Sequence, residues 1–177
     1  MPTTKPPPFD RQKREQWLAF VQTLSPAADP RTIRLIGLLH RTGHALARVG
    51  ETSLSAAGLS YAQYRLLMSL LFCEQFEGQA ALNPSEISER QGISRNTASA
   101  LISKLEAEGL IERELDQADR RKFIIRLTPA GRELVRDHAS QHFHTIHQCF
   151  HVLTPEEQET MSQLLERLNE SSALQRR

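Results

Sequence analysis

The sequence predicts a mainly α-helical protein with a small β-hairpin wing. We expect an α+β winged helix-turn-helix, with a helical dimerisation region formed by N- and C-terminal helices. Between Asn83 and Glu108, two short amphipathic patterns follow one another with a glycine between them. A pair of alternating strand patterns with arginines in the connecting loop comes directly afterwards. Long segments with apolar residues at helical spacing flank this stretch on both sides.

The first short helix is expected over roughly Pro84 to Arg90. Asn83 suits the N-cap position, and Pro84 suits the first helical position, where a missing N–H costs nothing. Glu86 stands three residues after the cap and can close a capping box. Gly92 then supplies the positive φ that a sharp turn between two helices commonly needs.

The second helix is expected from its N-cap, Ser94, to about Glu108. One side is apolar and must face the core, because apolar surface left in water forfeits its burial free energy. The opposite side is polar, and its carboxylates occur only in the last turn. The first half of the helix therefore offers cationic and hydrogen-bonding groups to DNA. A solvated helix face is the plain alternative. The predicted core residues are Ala98, Leu101, Ile102 and Leu105, and the candidate DNA contacts are Ser94, Arg95, Asn96, Thr97, Ser99, Ser103 and Lys104.

The hairpin is expected from the strands LIEREL and KFIIRL, which enclose the loop DQADRR. Arg120 and Arg121 lie in that loop, and a narrow minor groove attracts such side chains by its concentrated negative potential. A helix of groove size beside a hairpin with arginines therefore suits a DNA duplex. Alternation assigns Phe123, Ile125 and Leu127 to one face of the second strand, and Ile124 and Arg126 to the other.

This stretch resembles the DNA-binding core of the MarR family of bacterial transcriptional regulators. The residues that carry the resemblance are the helix SRNTASALISKLEAEGLIER, the wing DQADRR and the closing LTPAGREL. The resemblance implies that Arg121, which closes an Asp-x-Arg motif, enters the minor groove while Asp119 holds the wing by an ion pair. A helix position that is often arginine in the family is Ala100 here, so base preference cannot be copied from relatives.

The flanking segments predict the domain organisation. Residues 1–28 are expected to form a tail and an extra amphipathic helix, followed by a MarR-like domain at 29–177. That domain contains a reading head, residues 60–127, and dimerisation helices at 29–51 and 128–170. The apolar mass outside the reading head predicts a homodimer that reads a pseudo-palindrome on double-stranded DNA. The apolar stripe of the extra helix, which either extends the subunit interface or packs within its own subunit, is Trp17, Phe20, Val21 and Leu24.

Cap signals predict the flanking helices in more detail. Asp29 and Pro30 start a long helix that is expected to end near Glu51. Ser60 and Gln63 predict a capping box before the nearly all-apolar segment YAQYRLLMSLLFCEQF, which should be buried on most sides. Thr154 to Glu157 form another capping box with proline at the first helical position.

The resemblance also implies a small-molecule pocket between the flanking helices and the reading head. Polar groups along an apolar crevice would suit a small aromatic or phenolic effector. Ordinary side chains at a subunit seam are the alternative. The candidate pocket residues are His40, His44 and Arg48 at i, i+4 and i+8 on one helix, and Tyr64 and Met68 at i and i+4 on the next.

Histidines and cysteines raise the question of a metal or redox site. His144, His147 and His151 lie at i, i+3 and i+7 on one helix face and could ligate zinc. No cysteine or carboxylate completes the set, so we expect a histidine-rich surface or dimer seam, with neither metal nor cofactor. Cys73 and Cys149 lack CxxC spacing and are expected to be buried thiols.

Composition limits the remaining classes of protein. The 177 residues carry 22 Lys plus Arg against 21 Asp plus Glu, so only local charge placement supports nucleic-acid binding. Because no apolar run could span a bilayer, we expect a cytoplasmic protein without a membrane partner. No phosphate loop, nucleophile elbow or HExxH motif indicates an enzyme. The prediction is a signal-responsive regulator, most simply a repressor; the alternatives are a dimeric adaptor without DNA binding and a histidine-based metal-binding protein.

Overall fold

The computed structural model describes residues 11–77, 81–116 and 122–174. These residues form a mainly helical protein with one two-stranded antiparallel hairpin, as the sequence predicts. In chain order, the elements are α1 (Arg11–Leu24), α2 (Pro30–Leu54), a short 3-10 turn (Ser55–Ala57), α3 (Tyr61–Phe76), α4 (Pro84–Gln91), α5 (Arg95–Ala107), β1 (Ile111–Leu115), β2 (Phe123–Leu127), α6 (Pro129–Gln148) and α7 (Pro155–Leu174).

The described residues divide into two compact units, one up to Leu46 and one from Ala47 onward. The first unit contains α1 and the first part of α2. Along α1, Trp17 is 52% exposed and Phe20 51% exposed, and their ring centroids lie 5.8 Å apart. This apolar stripe is therefore incompletely buried in the single chain. The second unit contains the rest of the chain's described elements, including α4, α5 and the hairpin.

Local capping explains where the helices of the second unit begin. At α3, the Ser60 hydroxyl accepts from the Gln63 N–H at 3.2 Å, and the Gln63 side chain accepts from the Ser60 N–H at 3.0 Å. At α7, the Thr154 N–H donates to Glu157 at 2.8 Å. These boxes satisfy backbone donors that a first turn leaves without partners. The predicted starts of both helices are confirmed.

The core of the second unit forms around α3. Leu66, Leu67 and Leu70 are at most 2% exposed, and they pack with α4, α5, the hairpin and α6. The expectation that α3 is buried on most sides is wrong for its last turn, since Phe72 is 53% exposed and Phe76 77% exposed. Helical spacing puts both phenylalanines on the side of the exposed Arg65, away from the core.

The hairpin follows the predicted alternation. Ile111 pairs with Leu127, and Leu115 pairs with Phe123 at the other end of the ladder. Ile125 and Leu127 are buried, and Ile125 also exchanges backbone hydrogen bonds with Leu82 at 3.1 and 2.8 Å. Phe123 belongs to the same face but is 44% exposed, because its end of the hairpin extends beyond the core.

Two smaller expectations differ from the structure. The long helix α2 ends at Leu54 rather than near Glu51, since Leu54 is fully buried and extends the apolar face by one turn. Cys73 is buried as expected, whereas Cys149 is only half-buried because it caps the exposed end of α6. Within the described ranges, no helix is both long enough and apolar enough to cross a membrane.

Candidate nucleic-acid interface

The turn between α4 and α5 is held by the backbone and by one buried hydroxyl. Asn83 accepts from the N–H groups of Ser85 and Glu86 at 2.9 and 3.0 Å, which starts α4 as predicted. Gly92 ends α4 with φ +65°, a value that a residue with a side chain rarely adopts. The Ser88 hydroxyl, largely buried, donates to the Ile93 carbonyl at 2.7 Å. This bond fixes the angle at which α5 leaves the turn.

The start of α5 uses two of the predicted contact residues as its cap. The Ser94 hydroxyl accepts from the Thr97 N–H at 3.1 Å and lies 2.8 Å from the Thr97 hydroxyl. Both side chains remain exposed. Their first role is therefore to begin the helix, and their outer surfaces complete its polar face.

The two faces of α5 separate as the sequence predicts. Ala98, Ile102 and Leu105 are at most 1% exposed, and Leu101 is half-buried. This apolar stripe fixes the rotation of the helix, because any other rotation would expose it to water. Four polar side chains of the opposite face are exposed and make no hydrogen bond or ion pair to any described residue: Arg95, Asn96, Ser99 and Ser103.

Lys104 differs from the other predicted contacts. Its ammonium group donates to the Gln63 side-chain oxygen at 3.3 Å and lies 3.9 Å from a Glu108 carboxylate oxygen. Gln63 is fully buried and also donates to Glu108 at 3.0 Å. Lys104 therefore joins the end of α5 to the start of α3, and its charge is partly balanced by a carboxylate. Sequence reasoning did not predict these partners of Lys104: Gln63 lies 41 residues before it in the chain, and Glu108 lies 4 residues after it.

The arginines of the hairpin strands both have acidic partners. Arg113 lies 3.2 Å from Glu106 of α5, and Arg126 lies 3.1 Å from Glu114 of β1. These pairs balance the positive charge of the strands themselves. The predicted wing residues Asp119, Arg120 and Arg121 lie outside the described residues, so their roles stay predictions.

A buried polar cluster lies between α2, α3 and α6 within the second unit. The ring of His142 lies 4.7 Å from the ring of Tyr64, and its Nδ1 lies 2.8 Å from the Ser53 hydroxyl. Because Ser53 donates its single proton to the Gly50 carbonyl at 2.8 Å, Nδ1 of His142 is the donor in their contact. The Tyr64 hydroxyl is buried and has no hydrogen-bond partner among the described residues.

Burial also sets the proton affinities of this cluster. It lowers the pKa of His142 below its ordinary value of 6.5 and raises the pKa of Tyr64 above 10.0, because both charged forms lose solvation. Both groups are therefore neutral near pH 7. His142 is not among the residues singled out from the sequence. Its spacing of seven from the buried Val135 could have indicated an inward position.

The other predicted pocket residues do not join this cluster in any described contact. Arg48 is exposed and Met68 half-buried in the second unit. His40 and His44 are exposed and belong to the first unit. The five-residue pocket inferred from the resemblance therefore stays a prediction, and the geometry supports Tyr64 alone as a buried polar group.

The predicted histidine face brings two rings together rather than three, and the expectation that all three histidines lie on one helix is wrong. The helix α6 ends at Gln148, so His151 lies in the turn beyond it. His147 and His151 lie edge to face with centroids 4.7 Å apart, while His144 lies 3.0 Å from Gln148. Across the described ranges, no three His, Cys, Asp or Glu side chains come together in a way that could hold a metal ion.

Comparisons with known proteins agree with this geometry. Residues 57–122 match the model of the MarR family. The chain is 32% identical over 103 residues to the transcriptional repressor MprA of Escherichia coli; the match covers 58% of this chain, and the chain spans 58% of that relative's length. The structure of the Staphylococcus aureus MepR–DNA complex superposes with a TM-score of 0.67 at 26% identity, covering 76% of this chain and 95% of MepR.

A second solved structure bears on ligands. Rhodococcus jostii CouR bound to p-coumaroyl-CoA superposes with a TM-score of 0.64 at 28% identity, covering 75% of this chain and 90% of CouR. The superposed share of the chain is larger than the stretch 57–122 that matches the family model.

Proposed function

We propose, from the match of residues 57–122 to the MarR family model and the similarity to MprA, that the chain is a MarR-type transcriptional regulator that binds double-stranded DNA as a homodimer. The chain would act in the cytoplasm on a pseudo-palindromic operator. Regulation rather than catalysis is proposed because the sequence carries no recognisable catalytic motif. Repression is the simplest outcome, since a dimer on an operator blocks a promoter that overlaps it.

The observation that carries the proposal is the free polar face of α5. The side chains of Arg95 and Asn96 are exposed and make no hydrogen bond or ion pair to described residues, while the buried stripe prevents the helix from turning that face inward. A B-DNA major groove admits one α-helix, and Arg and Asn are suited to guanine and adenine edges. MepR, on which this chain superposes, forms a complex with DNA.

Dimerisation is supported by apolar surface that the single chain leaves exposed. Phe143 of α6 is 53% exposed, and Leu164 and Leu168 of α7 are 56% and 49% exposed. Burying such surface on a second copy would remove it from water and place two α5 helices on one duplex. The proposed dimerisation helices are those in residues 29–51 and 128–170. The amphipathic helix in residues 1–28 would either extend this interface or pack within its own subunit.

An effector would act by shifting populations. A ligand can weaken DNA binding only if it prefers a conformation in which the two α5 helices are wrongly spaced. The unsatisfied hydroxyl of Tyr64 supports a small aromatic or phenolic effector, because a ligand acceptor or donor would satisfy it. CouR, with its bound aromatic acyl thioester, provides a precedent for this ligand class.

Fluorescence anisotropy with the gene's own upstream DNA tests the proposal at 50 and 200 mM salt. A regulator that contacts six to ten phosphates should lose roughly 10³- to 10⁵-fold in affinity over this range. Asn96→Ala should change base preference by roughly 1–3 kcal/mol at one operator position, whereas the matched control Asn169→Ala, on the exposed side of α7, should not. A protein that binds no DNA at either salt concentration would be an adaptor on the same fold.

A further inference from the structure

We propose that Arg113 is a positioning residue: it holds the hairpin strands β1 and β2 against α5, so that the helix and the hairpin meet DNA in one geometry. The inference rests on the proposed function and adds a residue that sequence reasoning did not select. Arg113 is a strand residue of β1, and its role follows from contacts on either side of it.

Arg113 connects three elements through one side chain. Its Nη2 lies 3.2 Å from Oε2 of Glu106, in the last turn of α5. Its guanidinium carbon lies 5.7 Å from the centroid of the Phe123 ring, the first residue of β2. The planar guanidinium can meet a carboxylate at its edge and an aromatic ring at its face, which lysine cannot do equally well.

The outer half of the hairpin is less buried than the inner half. Ile111, Ile125 and Leu127 are at most 2% exposed and tie the inner half to the core. Beyond them, the pair Leu115 and Phe123 is 52% and 44% exposed. Apolar burial therefore fixes the base of the wing but not its outer end. Among the described residues, Arg113 lies in the middle of the ladder opposite Ile125, where it pairs with Glu106 of α5 and contacts the ring of Phe123 in this outer region.

A second arginine in the hairpin provides a natural control. Arg126 pairs with Glu114 at 3.1 Å, and the side chains of the two ion pairs have similar exposure. Both members of this pair lie in the hairpin, on the face opposite Arg113. The Arg126 pair can stiffen the hairpin internally but cannot hold it against α5. Removing Arg126 also removes one positive charge, which matches the electrostatic effect of removing Arg113.

The first test measures wing position without DNA. Nitroxide labels on Ser99→Cys of α5 and Leu115→Cys at the outer end of β1, in a background with Cys73→Ser and Cys149→Ser, give a distance distribution by pulsed electron resonance. Labelled chains are diluted into unlabelled ones so that distances within one chain dominate. Arg113→Met should broaden the distribution, and Arg126→Met should leave it unchanged. An unchanged distribution for Arg113→Met would overturn the inference, whatever the protein does with DNA.

The second test is a double-mutant cycle on DNA affinity. Arg113→Met should weaken operator binding about tenfold in the wild-type chain and about twofold or less beside Arg121→Ala, since coupled residues give non-additive effects. Arg126→Met should cost the same small factor in both backgrounds. The exchange Glu106→Arg with Arg113→Glu should restore most of the lost affinity. Equal losses for Arg113→Met in both backgrounds would overturn the positioning role, while failure of the wild-type chain to bind DNA would refute the proposed function instead.

Discussion

Gly131 is a position where one added methyl group should cost substantial stability. It lies in the first turn of α6, which starts directly after β2. A Cβ built on Gly131 would lie 2.1 Å from the carbonyl oxygen of Leu110 and 3.2 Å from a methyl carbon of Leu127. The first distance is far below any real carbon–oxygen contact, and the carbonyl belongs to the backbone, which cannot rotate away. The start of α6 must therefore move by about 1 Å to reach ordinary packing distance.

That movement breaks identifiable interactions. The Thr128 N–H donates to Leu110 O at 3.1 Å, and the Thr128 hydroxyl donates to Gly109 O at 2.8 Å. Overpacking costs about 1–3 kcal/mol, and each weakened hydrogen bond adds about 1 kcal/mol. Alanine recovers about 1 kcal/mol through its better helix propensity. We expect Gly131→Ala to lower the free energy of unfolding by about 2–4 kcal/mol, or roughly 4–16 °C in Tm for a chain of this size.

Urea and thermal unfolding followed by circular dichroism measure this loss. Gly43→Ala is the matched control, because its Cβ would meet no atom of this chain within 4 Å and its position is inside α2. The control should be neutral or more stable by up to about 1 kcal/mol. If Gly131→Ala is as stable as the wild type, then α6 does not approach the α5–β1 junction as closely as the structure has it, and the reasoning fails.

Three further predictions use the same purified protein. Because burial lowers the pKa of His142, the unfolded chain binds a proton at this residue more readily than the folded chain does. The free energy of unfolding should therefore fall as pH drops below about 6.5, by at most about 1.4 kcal/mol per pH unit from this group. His142→Gln should make the free energy of unfolding depend less on pH in this range. Tyr64→Phe removes a buried hydroxyl that has no hydrogen-bond partner among the described residues, so it should raise the free energy of unfolding by about 1 kcal/mol. It should also abolish any effect of an effector on DNA binding. A lower free energy of unfolding would show that the hydroxyl has a hydrogen-bond partner. Lys104→Met should leave the slope of log affinity for DNA against log salt concentration unchanged, because the Lys104 ammonium group is already bound by Gln63 and Glu108. Arg95→Met, by contrast, should make this slope shallower by about 0.9.

The parts of the fold that the sequence predicted correctly are governed by residues close together in the chain. The capping box at Asn83 and Glu86 involves residues three positions apart, and the turn at Gly92 depends on one residue's conformational freedom. The stripe of α5 depends only on helical spacing. In each case the physical cause acts within one or two helical turns, so residue type and spacing are sufficient to predict it.

The features that were missed depend on contacts across long stretches of chain. Ser53 and His142 are 89 residues apart in sequence, and Gln63 and Lys104 are 41 apart. The spacing of seven from Val135 could have indicated an inward position for His142, but its partner Ser53 could not be predicted without knowing which helix packs there. For the same reason, the sequence pattern places Lys104 on the polar face of α5 without its partner Gln63, which belongs to a distant part of the chain. The exposure of Phe123 was missed because alternation identifies a strand's face and does not show how far the core extends beneath it.

The long-range contacts also suggest how an effector site and the DNA-reading helix could be coupled. Gln63 and Tyr64 are consecutive residues of α3: Gln63 is bonded to Glu108 and Lys104 at the end of α5, while Tyr64 packs on His142 of α6. Gln63 is fully buried, so its bonds cannot be exchanged for water without cost. Any ligand that satisfies Tyr64 by rotating or shifting the first turn of α3 must therefore move the end of α5 with it or break bonds to Gln63. Either result favours a second arrangement of the reading helix, which is the difference in state that a population shift requires.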